Sequence, residues 1–271
     1  MEEKDITNIT DADKKENLLE ETPVVEDIET ENEDIDFSSR KVVEEKDIDY
    51  KALLKKRWFT RFCKRSFDIF ASGLGLLFML PIFLVVAIII KCTSKGPVFF
   101  RQVRVGKNGK PFRIFKFRTM VVDAEAKGMQ ITIGADSRIT KIGKILRKTK
   151  LDEFPQLINV FIGDMSLVGP RPEVPHYVDM YSDYEKNVLL IRPGITELSS
   201  IIYCNENDVL ASAKNPEWTY INEIMPTKLE INLEYITKMN LFYDIGLIFK
   251  TFLAILKWGR YGKIFIFNIN I

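Results

Sequence analysis

Histidine is nearly absent from this 271-residue chain. His176 is the only one, which argues against a histidine-based zinc site. Cysteine is scarce too: Cys63, Cys92 and Cys204 show no paired spacing, so no disulfide framework is expected and a reducing compartment fits. The first residues lack a basic stretch followed by an apolar one, and no signal peptide is expected there. There is no internal repeat and no recognisable DNA- or RNA-binding motif, so nucleic acid is not an expected partner.

What is abundant is charge, unevenly placed. Residues 1–50 carry 19 acidic against 6 basic side chains, about −13; the rest carries 33 basic against 19 acidic, about +14. The first 50 residues, rich in Asp, Glu, Asn and Thr, bury too little apolar surface to offset chain entropy and read as a disordered acidic arm. The basic remainder, 51–271, reads as one domain drawn to anionic partners.

From Ile69 to Ile90 run 22 residues without a charge. A straight helix of that length spans about 33 Å, enough to cross a bilayer. Pro81 sits at the middle of the run and is expected to kink or break it. Both flanks are basic: Lys55, Lys56, Arg57, Arg61, Lys64 and Arg65 before, Lys91, Lys95, Arg101, Arg104 and Lys107 after. Basic flanks favour the cytoplasmic side. A re-entrant helix over about 66–91, broken at Pro81, lets both ends stay there. Trp58, Phe59 and Phe62 among the preceding lysines and arginines suit a headgroup zone and contact with membrane lipids.

Alternation in VFFRQVRV and FRIFKFR around GKNGKP predicts a β-hairpin over 96–120. Short helices are expected over 121–127 and 177–190. Two amphipathic helices are expected over about 226–258, lying on the body or in the membrane interface. The fold class expected is α+β, mostly helical and membrane-associated.

The richest stretch is TKIGKILRKTKLDEFPQLINVFIGDMSLVGPRPEVP, Thr140 to Pro175. Apolar spacing predicts an amphipathic helix from Lys141 to Thr149, with Asp152 at its end or in the next turn. Pro155 should hold Phe154 extended and break the chain there. Asp152 and Glu153 follow Lys141, Lys144, Arg147, Lys148 and Lys150, and carboxylates amid such charge stay ionised while anions gather nearby. A phosphate-handling site fits; a solvated basic helix with an incidental acidic pair fits the spacing as well.

The text of the motifs is more specific. KRSFD at Lys64, GPVFFRQVRVGKNGKPFRIFKFRTM at Gly96, DSRITKIGKILRKTKLDE at Asp136, then FPQL, GDMSLVGPRPE and RPGIT closely resemble the bacterial sugar transferase family. These are monotopic phosphoglycosyl transferases that act on polyprenol phosphate. The resemblance covers roughly Lys64 to Leu256, with a catalytic core over about 96–200. It implies transfer of a sugar-1-phosphate from a UDP-sugar donor to polyprenyl (undecaprenyl) phosphate, with release of UMP, through a phospho-aspartyl intermediate. That would be the first membrane step of polysaccharide or glycan assembly, at the bacterial inner membrane with the catalytic face cytoplasmic.

Asp152 is then the nucleophile. Glu153, with Asp152, is the candidate contact for Mg²⁺, which Mn²⁺ could replace. Arg147 and Arg171 are planar forks suited to phosphate oxygens, with Arg118 and Lys116 as weaker candidates. Asp164 and Glu173 are candidate supporting carboxylates. A membrane-anchored scaffold of the same fold that has lost catalysis is the alternative, and a homo-oligomer is left open. After Thr196 the chain departs from the commonest family text: Glu197-Leu198-Ser199-Ser200 stands where many members continue with glycine and an Ala-Gln pair. The sugar and nucleotide contacts of that loop stay open.

Overall fold

Thirty-six residues of helix form the spine of the molecule. The computed structural model describes residues 40–122, 124, 136–202 and 206–258. Helix α1 (Tyr50–Lys56) opens under an Asp49 cap, whose carboxylate accepts from the Ala52 amide at 2.9 Å. Arg57 turns the chain into α2 (Trp58–Thr93). Helix α2 starts well before the expected residue 66 because the basic aromatic segment is helical too.

Pro81 lies inside α2, and the helix continues on both sides of it. The expected break is therefore corrected: proline removes one amide donor, and the neighbouring turns keep their own bonds. Among the described residues α2 is the one helix long and apolar enough to cross a membrane, and only 11% of its most apolar stretch is buried.

The hairpin is present as two short antiparallel ladders. Strands β1 (Phe99–Phe100) and β4 (Lys116–Phe117) pair at its base, and β2 (Val103–Val105) and β3 (Pro111–Arg113) pair at its tip. Asn108, at φ 56°, turns the tip within a 3-10 helix over Lys107–Gly109. Helix α3 (Lys141–Lys148) matches its expected span. The Thr140 hydroxyl accepts from the Gly143 amide at 3.0 Å and caps it. A Cβ on Gly143 would fall 2.0 Å from the Thr119 carbonyl oxygen, so glycine lets the helix meet the strand that ends the hairpin. Leu146, 2% exposed, packs with Phe117, Phe83, Val86 and Ile90. That cluster fastens the second half of α2 to the hairpin and to α3; full burial of one such leucine stabilises by about 1.5–3 kcal/mol.

A 3-10 turn, Leu151–Glu153, leads into α4 (Gln156–Ile162). Phe154 is right-handed helical, at φ −58° and ψ −31°, not extended as the following proline suggested. Pro155 takes the cap position of α4, where its missing amide breaks no bond. Gly73 and Gly75 of α2 face Phe161 and Leu157 of α4 at close range.

Strand β5 (Ser166–Val168) pairs in parallel with β6 (Gly194–Thr196). The crossover between them holds α5 (Pro175–Val178) and a 3-10 helix, Glu185–Leu190. One helix over 177–190 was expected. It is interrupted because Ser182 and Glu185 form a reciprocal cap, 2.8 Å and 3.2 Å, that starts a new turn. Glu185 also pairs with the buried Arg40 and accepts from the Val43 amide. The described body thus includes Arg40 to Tyr50, the last eleven residues of the expected arm. Residues 1–39, and residues 123 and 125–127 of the helix expected over 121–127, lie outside the described residues. The chain closes with α6 (Leu198–Ile202), α7 (Glu206–Ser212), α8 (Pro216–Thr219), a π-helical turn, α9 (Met225–Lys238) and α10 (Leu241–Trp258). The two terminal helices match the expected pair.

Candidate active site

The acidic pair sits on the 3-10 turn between α3 and α4. Lys150 introduces it in a left-handed conformation, φ 58°, the position after a helix end that glycine usually fills. This sharp reversal turns Asp152 inward, to 8% exposure.

The two carboxylates live in opposite environments. Glu153 Oε1 accepts from Lys116 Nζ and from the Arg171 guanidinium, each at 2.9 Å. Burial pushes its carboxyl up, but the charges of Arg171 and Lys116 and their hydrogen bonds prevail and hold it well below the usual range. Asp152 has no such clamp. Its Oδ1 is buried and has no hydrogen-bond partner. Burial first, and the neighbouring Glu153 charge second, push its carboxyl up, against the pull of Lys116, Arg147 and Lys150. One carboxylate is thus a fixed counter-ion; the other is a poorly solvated oxygen with nothing bound to it.

Of the basic candidates, Lys116 and Arg171 are brought to the pair, both bonded to Glu153. Arg147 lies close by charge and donates from Nε to Thr119 Oγ1 at 2.9 Å. Its terminal nitrogens carry no hydrogen bond among the described residues and can take a phosphate oxygen. Arg118 is committed elsewhere. It is 5% exposed and donates to the Ser94 carbonyl and hydroxyl and the Lys95 carbonyl, closing the C-terminal end of α2. Asp164 accepts from Asn159 at 3.2 Å, and Glu173 from the Tyr220 hydroxyl at 2.6 Å.

The roles of five residues escaped sequence reading. Asn159 accepts from the Phe115 amide and donates to the Arg113 carbonyl, tying α4 to the strand that bears Lys116. Arg104 donates to the Pro172 carbonyl at 3.1 Å and pins the Gly169–Glu173 run. Glu197, 2% exposed, accepts from the Arg171 amide at 2.9 Å, from Asn232 and from Ser200, with Lys228 at 3.9 Å. A cavity of about 20 Å³, room for one water, lies between Arg171, Glu197, Lys228 and Tyr181. Asp68 of α2 accepts from the Ser166 hydroxyl at 2.8 Å and the Leu167 amide at 3.0 Å. Lys64 donates to the Val168 carbonyl and pairs with Asp244. A lone carboxylate immediately before the uncharged run Ile69–Ile90 was the one sequence signal available for Asp68.

Among the described residues no group of three or more His, Cys, Asp or Glu side chains converges as a metal cage. The donor set does fit a hard cation with few protein ligands, since both clamp bonds on Glu153 fall on Oε1 and its second carboxylate oxygen carries none among the described residues.

The profile of the bacterial sugar transferase family matches residues 59–258. The chain is 37% identical over 198 residues to a UDP-N-acetylgalactosamine-undecaprenyl-phosphate N-acetylgalactosaminephosphotransferase of Aeromonas hydrophila, covering 72% of this chain and 44% of that protein. It is 42% identical over 193 residues to a UDP-glucose:undecaprenyl-phosphate glucose-1-phosphate transferase of Klebsiella pneumoniae, 69% of this chain and 39% of that protein. It is 36% identical over 206 residues to the exopolysaccharide production protein PSS of Rhizobium leguminosarum bv. phaseoli, 73% of this chain and 96% of that protein. The chain therefore spans less than half the length of the first two.

Proposed function

The chain belongs to the bacterial sugar transferase family, and from that premise we propose that it transfers a sugar-1-phosphate from a UDP-sugar to undecaprenyl phosphate, releasing UMP. The observation that carries the reading is the unpartnered, buried Asp152 Oδ1 beside a Glu153 clamped by Lys116 and Arg171. A carboxylate stripped of solvent and hydrogen bonds is a better nucleophile than a hydrated one.

In the first step Asp152 Oδ1 bonds to the sugar-bearing phosphorus. The bond from that phosphorus to the bridging oxygen breaks, and its electron pair leaves with UMP. In the second, an oxygen of the lipid phosphate attacks the same phosphorus and Asp152 departs as carboxylate. Arg147 and Arg171 neutralise phosphate oxygens as the two anions approach. Glu153 holds Lys116 and Arg171 in place and charged. Asp152, and Glu153 through its second oxygen, would hold a Mg²⁺ ion with substrate phosphates and water. When bound, such an ion would screen the charge of the pyrophosphate.

The setting proposed is the bacterial inner membrane, with this site on the cytoplasmic face. The basic flanks of α2 support both ends on one side, with a bend at Pro81. Exposed Phe242, Ile245, Phe249 and Phe252 of α10 suit the membrane interface. UMP release from a panel of UDP-sugars, with and without undecaprenyl phosphate, tests the activity. Release from at least one donor is expected, and none from any donor would overturn it.

A further inference from the structure

A second buried group faces the same problem as Asp152. Gln156 is 2% exposed, and its side-chain Nε2 has no hydrogen-bond partner. An unpaired amide in such a place costs stability, so its retention asks for a reason.

The backbone relates the two. From the 3-10 turn through Phe154 (φ −58°, ψ −31°) and Pro155 (φ −59°, ψ −15°) into α4, every residue is right-handed helical. The turn bonds along it close over three residues, Glu153 to Lys150, Phe154 to Leu151 and Leu157 to Phe154, so the two side chains stand on consecutive turns of one right-handed run. Asp152 and Gln156 are four apart. One presents a bare acceptor, the other a bare donor, and the two are not bonded to each other. A group that fits between them must bond to a carboxylate oxygen and also accept a hydrogen bond. A phosphoryl group does both.

We propose that Gln156 is a catalytic residue whose Nε2–H donates to a non-bridging oxygen of the phosphoryl group that Asp152 attacks. The proposal rests on the reading of Asp152 as nucleophile. As the Oδ1–P bond forms, negative charge grows on the non-bridging oxygens. A donor already fixed in a water-poor site stabilises that charge with no reorganisation, and loss of one such donor costs about 10²–10³ in rate.

The account makes activity and stability move in opposite directions. Gln156→Met keeps length and volume, removes the unpaired donor and puts an apolar group in a buried place. It should melt at or above the wild-type temperature in detergent, yet form the sugar-phosphate adduct on Asp152 about 10²-fold more slowly in single-turnover quench. Gln156→Glu, which replaces the donor by an acceptor, should be slower still. A Gln156→Met enzyme that forms adduct at the wild-type rate overturns the proposal. So does one whose melting temperature falls along with its rate, because that marks a packing role. Absence of any adduct in the wild-type enzyme instead overturns the nucleophile reading, and the two failures are thereby distinguished.

Discussion

Asp152 and Glu153 are neighbours with opposite effects on stability. Glu153→Gln leaves Lys116 and Arg171 without their shared counter-ion. The expected cost is about 3 kcal/mol, the low end for breaking a buried pair, because Arg171 stays 36% exposed. Asp152→Asn removes a charge that burial disfavours, so its melting temperature should rise while turnover falls by about 10⁴ or more. Thermal melts beside UMP release check both; a stabilised Glu153→Gln or a destabilised Asp152→Asn would reverse the assignment of roles. The pH dependence has matching signs. The Glu153 carboxyl is lowered in the folded state, so its pair contributes stability above the unfolded value of about 4.3, lost as pH falls through the folded value. The Asp152 carboxyl is raised, so it lowers stability as pH rises from about 3.9 through its folded value. The nucleophile must be ionised. The acid limb of kcat/KM should therefore lie above pH 4, and a limb at or below it would contradict the burial of Asp152.

At the scale of elements, the site is a junction held by side chains of α2. Asp68 binds β5 through Ser166 and Leu167, and β5 runs directly into the Gly169–Arg171 segment. Asp68→Ala strands a buried hydroxyl and amide, at about 1–3 kcal/mol for each unsatisfied group. It should also loosen the Arg171–Glu153 contact. We expect a lower melting temperature and a reduced kcat. A variant as stable and active as wild type would show that α2 does not position the site. Local elements were the legible ones. Helix α3 announces itself by apolar spacing and the Thr140 cap, and the hairpin by alternation around Gly106–Lys110. The pins were not legible. Asn159 reaches back to Phe115 and Asp68 forward to Ser166, contacts between residues far apart in sequence that no local pattern encodes. The Ser182–Glu185 cap was local, yet the apolar periodicity around it hid the break. Arg118 shows the same limit: nothing in its motif signalled the bonds it makes to the end of α2.

For the whole molecule, the question is how α2 meets the bilayer. The helix is continuous through Pro81, and the proposed path, with both basic flanks on one side, requires it to bend there. Single cysteines placed before Ser66 and after Lys91, in a background lacking the native thiols, should both label from the cytoplasmic side in intact cells. Labelling from opposite sides would make α2 an ordinary span. Pro81→Leu restores the missing hydrogen bond and should shift labelling towards opposite sides.

These scales meet in one chemical event, the bond from Asp152 to phosphorus. Enzyme mixed with its UDP-sugar donor alone, quenched and digested, is read by mass spectrometry. The account predicts the added mass of one sugar phosphate on the peptide holding Asp152, none in Asp152→Asn, and one UMP released per adduct. UMP release only when lipid acceptor is bound, with no adduct at any time, would contradict it and leave direct transfer between the two substrates.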